Sequence, residues 1–414
     1  MDSQGTRTVP PARPGRTVVA TGDNGWVQLA LLSTDPAKRG DYLRNIRIVR
    51  EDQLSLHDSG ALFNPAFVSR IEPFGTYRFM DWMVTNRLQA ADGTEIRWQS
   101  GKGFDVAGVR LLEWAERPMP DDARWTRGVP VEVMVELLNR TGADGWFNVP
   151  VNASDDYVRN FARYVRAHLD PRLKIHVELS NEVWNWAFPQ SHYAAFRAKQ
   201  EFGPGAKWME WYGKRTAEVG AIWNRVFGEP VTGGGGGGRV RVVYGTQLVY
   251  KGLETPGLET PNWRGPDGSK RRAADYFDDY AFAGYYDAGM SSDKQAPLVM
   301  QWWNEPDGGF AKAVAALREA IATRNAPLYA YHSGRAREYG LELVTYEGGF
   351  GERTPTSQHA NQRYTDFLIA LQRRPEMYEL ELANAAAFRR AGDAKAADAA
   401  LYRAKQRGRN RVSE

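Results

Sequence analysis

The sequence predicts an α/β fold built on a parallel β-sheet, either open or closed into a barrel. From about Ile71 onward, short apolar runs typical of strands alternate with amphipathic segments typical of helices. That order is the pattern of parallel sheets, in which a helix links each strand to the next. The chain has 414 residues, 42% of them apolar, which is enough for one large domain with an appendage.

Six core strands and the helices between them can be placed along the chain. The helix predicted over 155–169 has apolar and aromatic residues near helical spacing, with cap candidates just before it. The strand predicted over 173–180 alternates apolar and polar residues. A closed (β/α)8 barrel needs eight strands, and the first and eighth are not apparent. The other strands are predicted at 77–84, 145–150, 239–244, 281–285 and 341–346, and the other helices at 131–141, 190–227, 308–325 and beyond Arg363.

The two ends of the chain are predicted to lie outside this sheet. Residues 1–60 form a small β-rich module with a mobile start, residues 61–382 the barrel domain, and residues 383–414 a helical, basic tail. The Pro- and Arg-rich start lacks the apolar core of a signal peptide, and no apolar run is long enough to cross a membrane. The strands of the first module are predicted at 17–20, 26–33 and 45–49.

The composition argues against several kinds of chemistry. A net charge of +4, from 54 basic and 50 acidic residues, gives no electrostatic case for a nucleic-acid partner. The absence of cysteine excludes disulfides, thiolate metal sites and thiol catalysis. The six histidines are scattered, Gly-x-Ser-x-Gly is absent, and no Gly-x-Gly-x-x-Gly follows a strand, so we expect no metal and no cofactor. The 14 tryptophans and 19 tyrosines offer flat faces that suit sugar rings, although burial for packing is their more ordinary use.

Two glutamates at the ends of predicted strands could act as a catalytic pair. Glu182 continues the alternating polar set of the strand at 173–180, and Glu347 follows the apolar run 341–346 on the same side as Thr345. In a barrel such side chains point towards the C-terminal mouth, where barrel enzymes keep their chemistry. Glycoside hydrolysis needs one carboxyl group that gives up a proton and another that attacks the anomeric carbon. The alternative is that both glutamates form strand-end salt bridges.

The motifs around both glutamates resemble those of a known group of enzymes. Ser180-Asn181-Glu182-Val183 resembles the acid/base motif of the clan A glycoside hydrolases, which are retaining enzymes on (β/α)8 barrels with Asn-Glu after the fourth strand. Tyr346-Glu347-Gly348-Gly349 is similar to the nucleophile strand of the clan, the seventh. The stretches 78–83, 146–150 and 180–186 also resemble bacterial, largely uncharacterised, cellulose-binding-type glycosidase-like proteins.

The resemblance implies a double displacement in which Glu347 is the nucleophile and Glu182 is first the acid and then the base. It also implies that Tyr285, near the end of the sixth strand, hydrogen-bonds the nucleophile. A second Asn-Glu pair ends at Glu305, only 42 residues before Glu347, whereas two further βα units of about 30 residues each must fit between strands four and seven. Glu305 is therefore assigned to a loop or helix start. The other substrate-binding candidates lie at strand ends or carry aromatic faces: Arg78, Trp82, Asn86, Asn148, Asn181, Trp184, Trp186, Gln247, Trp302 and Trp303.

We therefore expect a (β/α)8 TIM-type barrel, incomplete at strands one and eight, with a small N-terminal β-rich module. The expected activity is retaining hydrolysis of a poly- or oligosaccharide, with a carbohydrate as the partner rather than nucleic acid or a membrane. The missing strand signals favour one alternative, a non-catalytic carbohydrate-binding protein on a degenerate barrel. A truncated gene product that neither folds well nor acts is the other.

Overall fold

The computed structural model describes residues 33–35, 37–40, 42, 48–122, 124–232, 238–266 and 268–392. The chain divides into two compact units, 1–68 and 69–414, and each is described by itself. In the first unit, the described residues form a short helical turn at Glu51–Gln53 and helix α1 (Leu54–Asp58). The predicted N-terminal strands and the end of the tail, 393–414, lie almost wholly outside the described residues.

Six parallel strands form a nearly closed barrel in the second unit. This number, rather than eight, is consistent with the expected incomplete barrel, and each strand overlaps a predicted one. A separate antiparallel hairpin pairs Trp98–Gln99 with Gly103–Phe104. In chain order, which is also their order around the sheet, the barrel strands are β1 (Thr76–Arg78), β2 (Asp144–Val149), β3 (Ile175–Leu179), β4 (Val240–Thr246), β5 (Asp279–Tyr286) and β6 (Glu342–Phe350).

Helices link the strands, and among those that the structure describes none has the length and apolar character that a membrane crossing requires. The region predicted to be largely helical over 190–227 forms two helices, because Gly203 and Gly205 interrupt it with φ values of 92° and 90°. The helices after α1 are α2 (Pro65–Ile71), α3 (Val131–Thr141), α4 (Asp155–His168), α5 (Pro189–Phe202), α6 (Trp208–Phe227), α7 (Thr255–Glu259), α8 (Ala296–Trp302), α9 (Phe310–Ala320), α10 (Ala326–Glu338), α11 (Gln362–Gln372) and α12 (Glu376–Ala391).

The first barrel strand is shorter than the prediction over 77–84. It ends at Arg78, and the chain then turns, with the N–H of Met83 donating to the carbonyl of Phe79 at 2.9 Å. Val84 has a φ of 52°, which a strand residue does not adopt. The apolar residues that resembled a strand therefore form a turn that directly follows Arg78.

Aromatic side chains pack the helices onto the outside of the barrel. The hydroxyl of Ser154 caps α4 by accepting a hydrogen bond from the N–H of Tyr157 at 3.1 Å. Phe161 of this helix lies 5.3 Å from Phe147 of β2 and 5.8 Å from Trp223 of α6, measured between ring centroids. All three rings are buried, so they belong to the apolar layer between sheet and helices.

The inside of the barrel is polar at the level of β3. His176 stacks on Trp146 of β2 at 5.0 Å, and its Nδ1 lies 3.1 Å from the carboxylate of Asp279 on β5. Arg241 of β4 contacts the same carboxylate at 3.0 Å, so this fully buried acid is paired with a positive charge. These contacts across the barrel confirm that the polar set of β3 points inward, and Glu178 belongs to that set.

Candidate active site

Glu182 and Glu347 lie at the C-terminal side of the barrel, Glu182 three residues after β3 and Glu347 within β6. Ser180 and Glu182 have φ values of 60° and 41°, a left-handed conformation that costs a non-glycine residue about 1–3 kcal/mol. The hydroxyl of Ser180 donates to the carbonyl of Thr85 at 3.3 Å, and Ser180 is fully buried. The surrounding structure therefore holds the Glu182 turn in a shape that the isolated segment would not favour.

Arg78, the last residue of β1, connects the strands that carry the candidate carboxyl groups. Its guanidinium makes a two-pronged contact with Glu178, with both distances 2.8 Å. A further N–H donates to Glu347 at 2.8 Å, and another to the side-chain oxygen of Asn181 at 2.8 Å. Only 10% of the Arg78 side chain is exposed, so water weakens these interactions little. The guanidinium is thus fixed by acceptor atoms on three side chains and in turn positions Glu347.

The charges around Arg78 do not balance. Burial by itself lowers the pKa of Arg78, but the charge and hydrogen bonds of Glu178 and the charge of Glu347 outweigh it and raise the pKa above its usual value. The guanidinium carbon also lies 4.8 Å from the ring centre of Tyr346, a favourable cation–π distance. One guanidinium therefore faces two carboxyl groups, and a third, Glu182, lies close enough to feel the charges of Glu347 and Arg78. The negative charge of Glu347 favours the protonated form of Glu182.

The hydrogen-bond donors that Glu182 has among the described residues are neutral. The hydroxyl of Tyr346 donates to one of its carboxyl oxygens at 3.1 Å, and the side-chain amide of Asn185 donates to the other at 2.9 Å. The indole N–H of Trp184 in turn donates to the Tyr346 hydroxyl at 3.2 Å, which orients it. Burial raises the pKa of Glu182, as does the charge of Glu347, and the two hydrogen bonds lower it without cancelling the rise. This environment suits a carboxyl group that keeps its proton.

Glu347 has a different pair of partners. One oxygen accepts from Arg78, and the other accepts from the hydroxyl of Tyr285 at 2.7 Å. Burial, the hydrogen bond to Glu347 and the charges of Glu347 and Glu182 raise the pKa of Tyr285, so its hydroxyl remains a donor. A guanidinium and a phenol donor are partners suited to a charged carboxylate. The structure thus places Tyr285 where the sequence resemblance expected it.

The predicted asparagines make hydrogen bonds to the residues around Glu182 and Glu347. Asn181 donates to the side-chain oxygen of Asn86 at 3.0 Å, and Gln190 donates to the same oxygen at 2.8 Å. Asn148 is fully buried and donates to Glu178 at 2.8 Å and to the carbonyl of Ser180 at 2.9 Å. Asn148 therefore supports Glu178 and the turn before Glu182, and its contact with a substrate stays a prediction.

Other predicted residues have contacts away from the two glutamates. The side-chain oxygen of Gln247 accepts from the N–H groups of Val249 and Tyr250 at 2.6 and 2.8 Å, so it closes the turn after β4. Trp82 packs on Phe79 at 5.4 Å and lines a cavity of about 280 Å³ bordered by Met134 of α3. Both side chains serve local packing or turn formation here.

The tryptophans at the end of α8 are also engaged elsewhere. Trp303 packs against Tyr364 and Phe367 of α11, with centroid distances of 5.8 and 6.1 Å. Trp302 is the last residue of α8 and is half-buried. Glu305 lies in the turn before α9 and pairs with Lys312 at 2.5 Å, as its assignment to a loop or helix start predicted. Nothing in these contacts joins the segment to the two candidate glutamates.

Sequence reasoning missed three residues of the site. Glu178 and Tyr346 were recognised only as members of strands, and Asn185 only as part of a motif. Alternation did carry a signal for Glu178, because it lies on the same inward set as His176. No sequence signal pairs Tyr346 with Glu182, since they are 164 residues apart.

The contact between Asn185 and Glu182 predicts the direction of a pKa change. Asn185→Ala removes a donor that favours the charged form of Glu182, so the pKa of Glu182 should rise further. The pKa is measured by NMR titration of labelled glutamate side chains, with Glu182→Gln to assign the signal. Tyr346→Phe should act in the same direction, and Asn160→Ala, which removes an exposed amide of α4, should have no effect. A fall in the Glu182 pKa in both test variants would contradict this account.

Within the described residues, no group of three or more histidine, cysteine, aspartate or glutamate side chains is arranged to hold a metal ion. No family model, curated protein or solved structure matches the chain. The described residues form an α/β fold with a nearly closed barrel of six parallel strands, consistent with a TIM-like fold.

Proposed function

We propose that this protein is a retaining glycoside hydrolase with Glu347 as the nucleophile and Glu182 as the acid/base. The observation that carries the proposal is the difference between the environments of the two glutamates. Glu347 contacts a guanidinium and a phenol, whereas Glu182 contacts neutral donors and has a raised pKa. Two carboxyl groups in such different surroundings are typical of enzymes that use one as the acid and the other as the nucleophile.

In the first step, a Glu347 oxygen forms a bond to the anomeric carbon while the bond to the leaving oxygen breaks. The proton of Glu182 moves to that oxygen, so the leaving sugar departs as a neutral alcohol. In the second step, Glu182 takes a proton from water, and the water oxygen displaces Glu347 from the anomeric carbon. No cofactor takes part in either step.

Arg78 and its neighbours act as positioning residues in this scheme. Arg78 and Tyr285 hold one oxygen each of Glu347, which limits its rotation. Asn181 uses one acceptor position for Arg78 and one N–H for Asn86. An amide has one further position of each kind, so Asn181 keeps the capacity to bind a sugar hydroxyl that the sequence suggested.

One observation favours a second candidate, a carbohydrate-binding protein without hydrolytic activity. The described residues give the barrel six strands, where the enzymes it resembles have eight. A smaller barrel changes how closely its strand ends approach, and hydrolysis depends on that spacing more than binding does.

The reaction product and its anomeric configuration distinguish the two candidate functions. The protein is incubated with soluble polysaccharides and aryl glycosides, and new reducing ends are measured. The anomer that forms first is then identified by proton NMR before mutarotation. Retention of the anomeric configuration is the expected result. Inversion would exclude Glu347 as a nucleophile, and binding without cleavage would favour the second candidate.

A further inference from the structure

Five aromatic rings form a cluster beside the turn that carries Glu182. His192 of α5 is at its centre, in edge contact with Trp98 at 6.0 Å, Phe104 at 5.2 Å and Trp186 at 4.7 Å. Trp186 also packs on Trp208 at 5.0 Å. The cluster thus joins the hairpin Trp98–Phe104 to the segment after β3 and to the start of α5.

Two rings of this cluster present their surfaces to solvent. Trp98 is 59% exposed and Trp186 is 44% exposed. Tryptophans used only for packing are largely buried, so two exposed indoles around one histidine call for another explanation. Gly103 lets the hairpin turn beside His192, because its φ of 77° is a left-handed conformation that residues with a side chain rarely adopt. The hairpin therefore holds Trp98 in place, and the segment after β3 holds Trp186.

The cluster is linked directly to the candidate acid/base. The N–H of Asn185 donates to the carbonyl of Glu182 at 2.7 Å, and its side chain donates to the Glu182 carboxyl group. Trp186 is the next residue, and its carbonyl is contacted by His192 at 3.1 Å. The indole of Trp208 donates to the carbonyl of Val183 at 3.1 Å. Glu182 and Trp186 therefore belong to one braced turn.

We propose that Trp98 and Trp186 form a binding platform for the sugars on the leaving-group side of the scissile bond. This inference rests on the proposed function, because the acid/base is the residue that touches the leaving oxygen. Flat indole faces stack on the C–H faces of pyranose rings, which are most accessible in chains with equatorial linkages. The platform therefore favours an extended chain of equatorially linked pyranoses, cut internally, over a substrate with a small leaving group.

A platform of this kind contributes to the rate as well as to binding. Contacts with parts of the substrate remote from the reacting bond help to orient it in the transition state, so their loss lowers kcat/KM for long substrates most. The loss of one stacked ring corresponds to about a tenfold change.

The test compares a long substrate with one that has a small leaving group. Cellohexaose and 4-nitrophenyl β-cellobioside are given to the wild type, Trp98→Ala and Trp186→Ala. For each variant, kcat/KM on cellohexaose should fall about tenfold more than on the aryl glycoside. Trp98→Phe, which keeps a flat ring, should lose less than Trp98→Ala. Trp125→Ala, at an exposed tryptophan in the segment before α3, is the matched control and should match the wild type. Equal losses on both substrates would overturn the platform.

Binding to an inactive variant separates this inference from the proposed function. Cellohexaose, xylohexaose and mannohexaose are titrated into Glu347→Gln by calorimetry, with and without Trp98→Ala. At least one should bind, with about tenfold weaker affinity when Trp98 is replaced. Tryptophan-dependent binding by a wild type that cleaves nothing would uphold the platform and reject the hydrolase. Cleavage by the wild type, with a binding affinity that does not depend on Trp98, would uphold the hydrolase and reject the platform. Thermal melting curves identify variants that are misfolded.

Discussion

Replacing Glu347 by glycine is expected to lower hydrolysis by about 10³-fold or more, because the covalent intermediate can no longer form. Azide, a small nucleophile, should restore turnover by entering the space left by the side chain and should give a glycosyl azide of inverted configuration. Product configuration is read by proton NMR, and rates are followed with an aryl glycoside. The same experiment on Glu182→Ala should give a glycosyl azide of retained configuration, because the nucleophile is still present.

Glu305→Gln provides the matched control. Glu305 also follows an asparagine, but it lies in the turn before α9 and pairs with Lys312. Its replacement should leave the rate unchanged. Full activity in Glu347→Gly, or a loss in Glu305→Gln as large as that in Glu347→Gly, would show that the pair has been wrongly assigned.

Replacing Arg78 by methionine should have the largest effect on stability. It leaves Glu178, a buried carboxyl group, without its charged partner, and removal of one member of a buried ion pair typically costs about 3–5 kcal/mol. Activity should be lost as well, because Arg78 also holds Glu347. The free energy of unfolding is measured by denaturant titration monitored by fluorescence.

Two further variants test the physical reason. Arg78→Met combined with Glu178→Gln should regain part of the stability, since the buried charge is then removed along with its partner. Arg172→Met breaks the ion pair between Arg172 and Asp170, in which 86% of the arginine side chain is exposed. This variant should unfold at the same denaturant concentration as the wild type. If Arg78→Met and Arg172→Met unfold at the same concentration, burial does not set the strength of the Arg78 network.

Glu182→Gln should make the protein more stable at alkaline pH. The raised pKa of Glu182 means that its charged form is disfavoured in the fold, so its contribution to stability is largest at low pH and is lost as pH rises through the raised pKa. The neutral amide avoids that loss. Removal of the proposed acid/base is thus expected to raise the melting temperature at alkaline pH while abolishing turnover, the usual trade-off at a functional site.

Much of the fold was predictable because its signals are local. The alternation of 173–180 and the helical spacing of 155–169 depend only on neighbouring residues, and both elements occur where expected. The count of six strands was also predicted. The strand expected over 77–84 was too long, because its apolar residues form a turn whose shape depends on contacts with the rest of the barrel.

The placement of Glu182 and Glu347 on the C-terminal side of the sheet follows from the sequence by itself, since parallel strands bring their C-terminal ends to one side. The sequence did not show that β6 continues past Glu347 to Phe350. The tertiary structure alone decided what each glutamate contacts. The pairing of Arg78 with Glu347 joins residues 269 apart, and the placement of Trp98 against His192 depends on a hairpin in a long connection. Which side chain meets which is set by the order and register of the strands, and a local pattern carries no information about either.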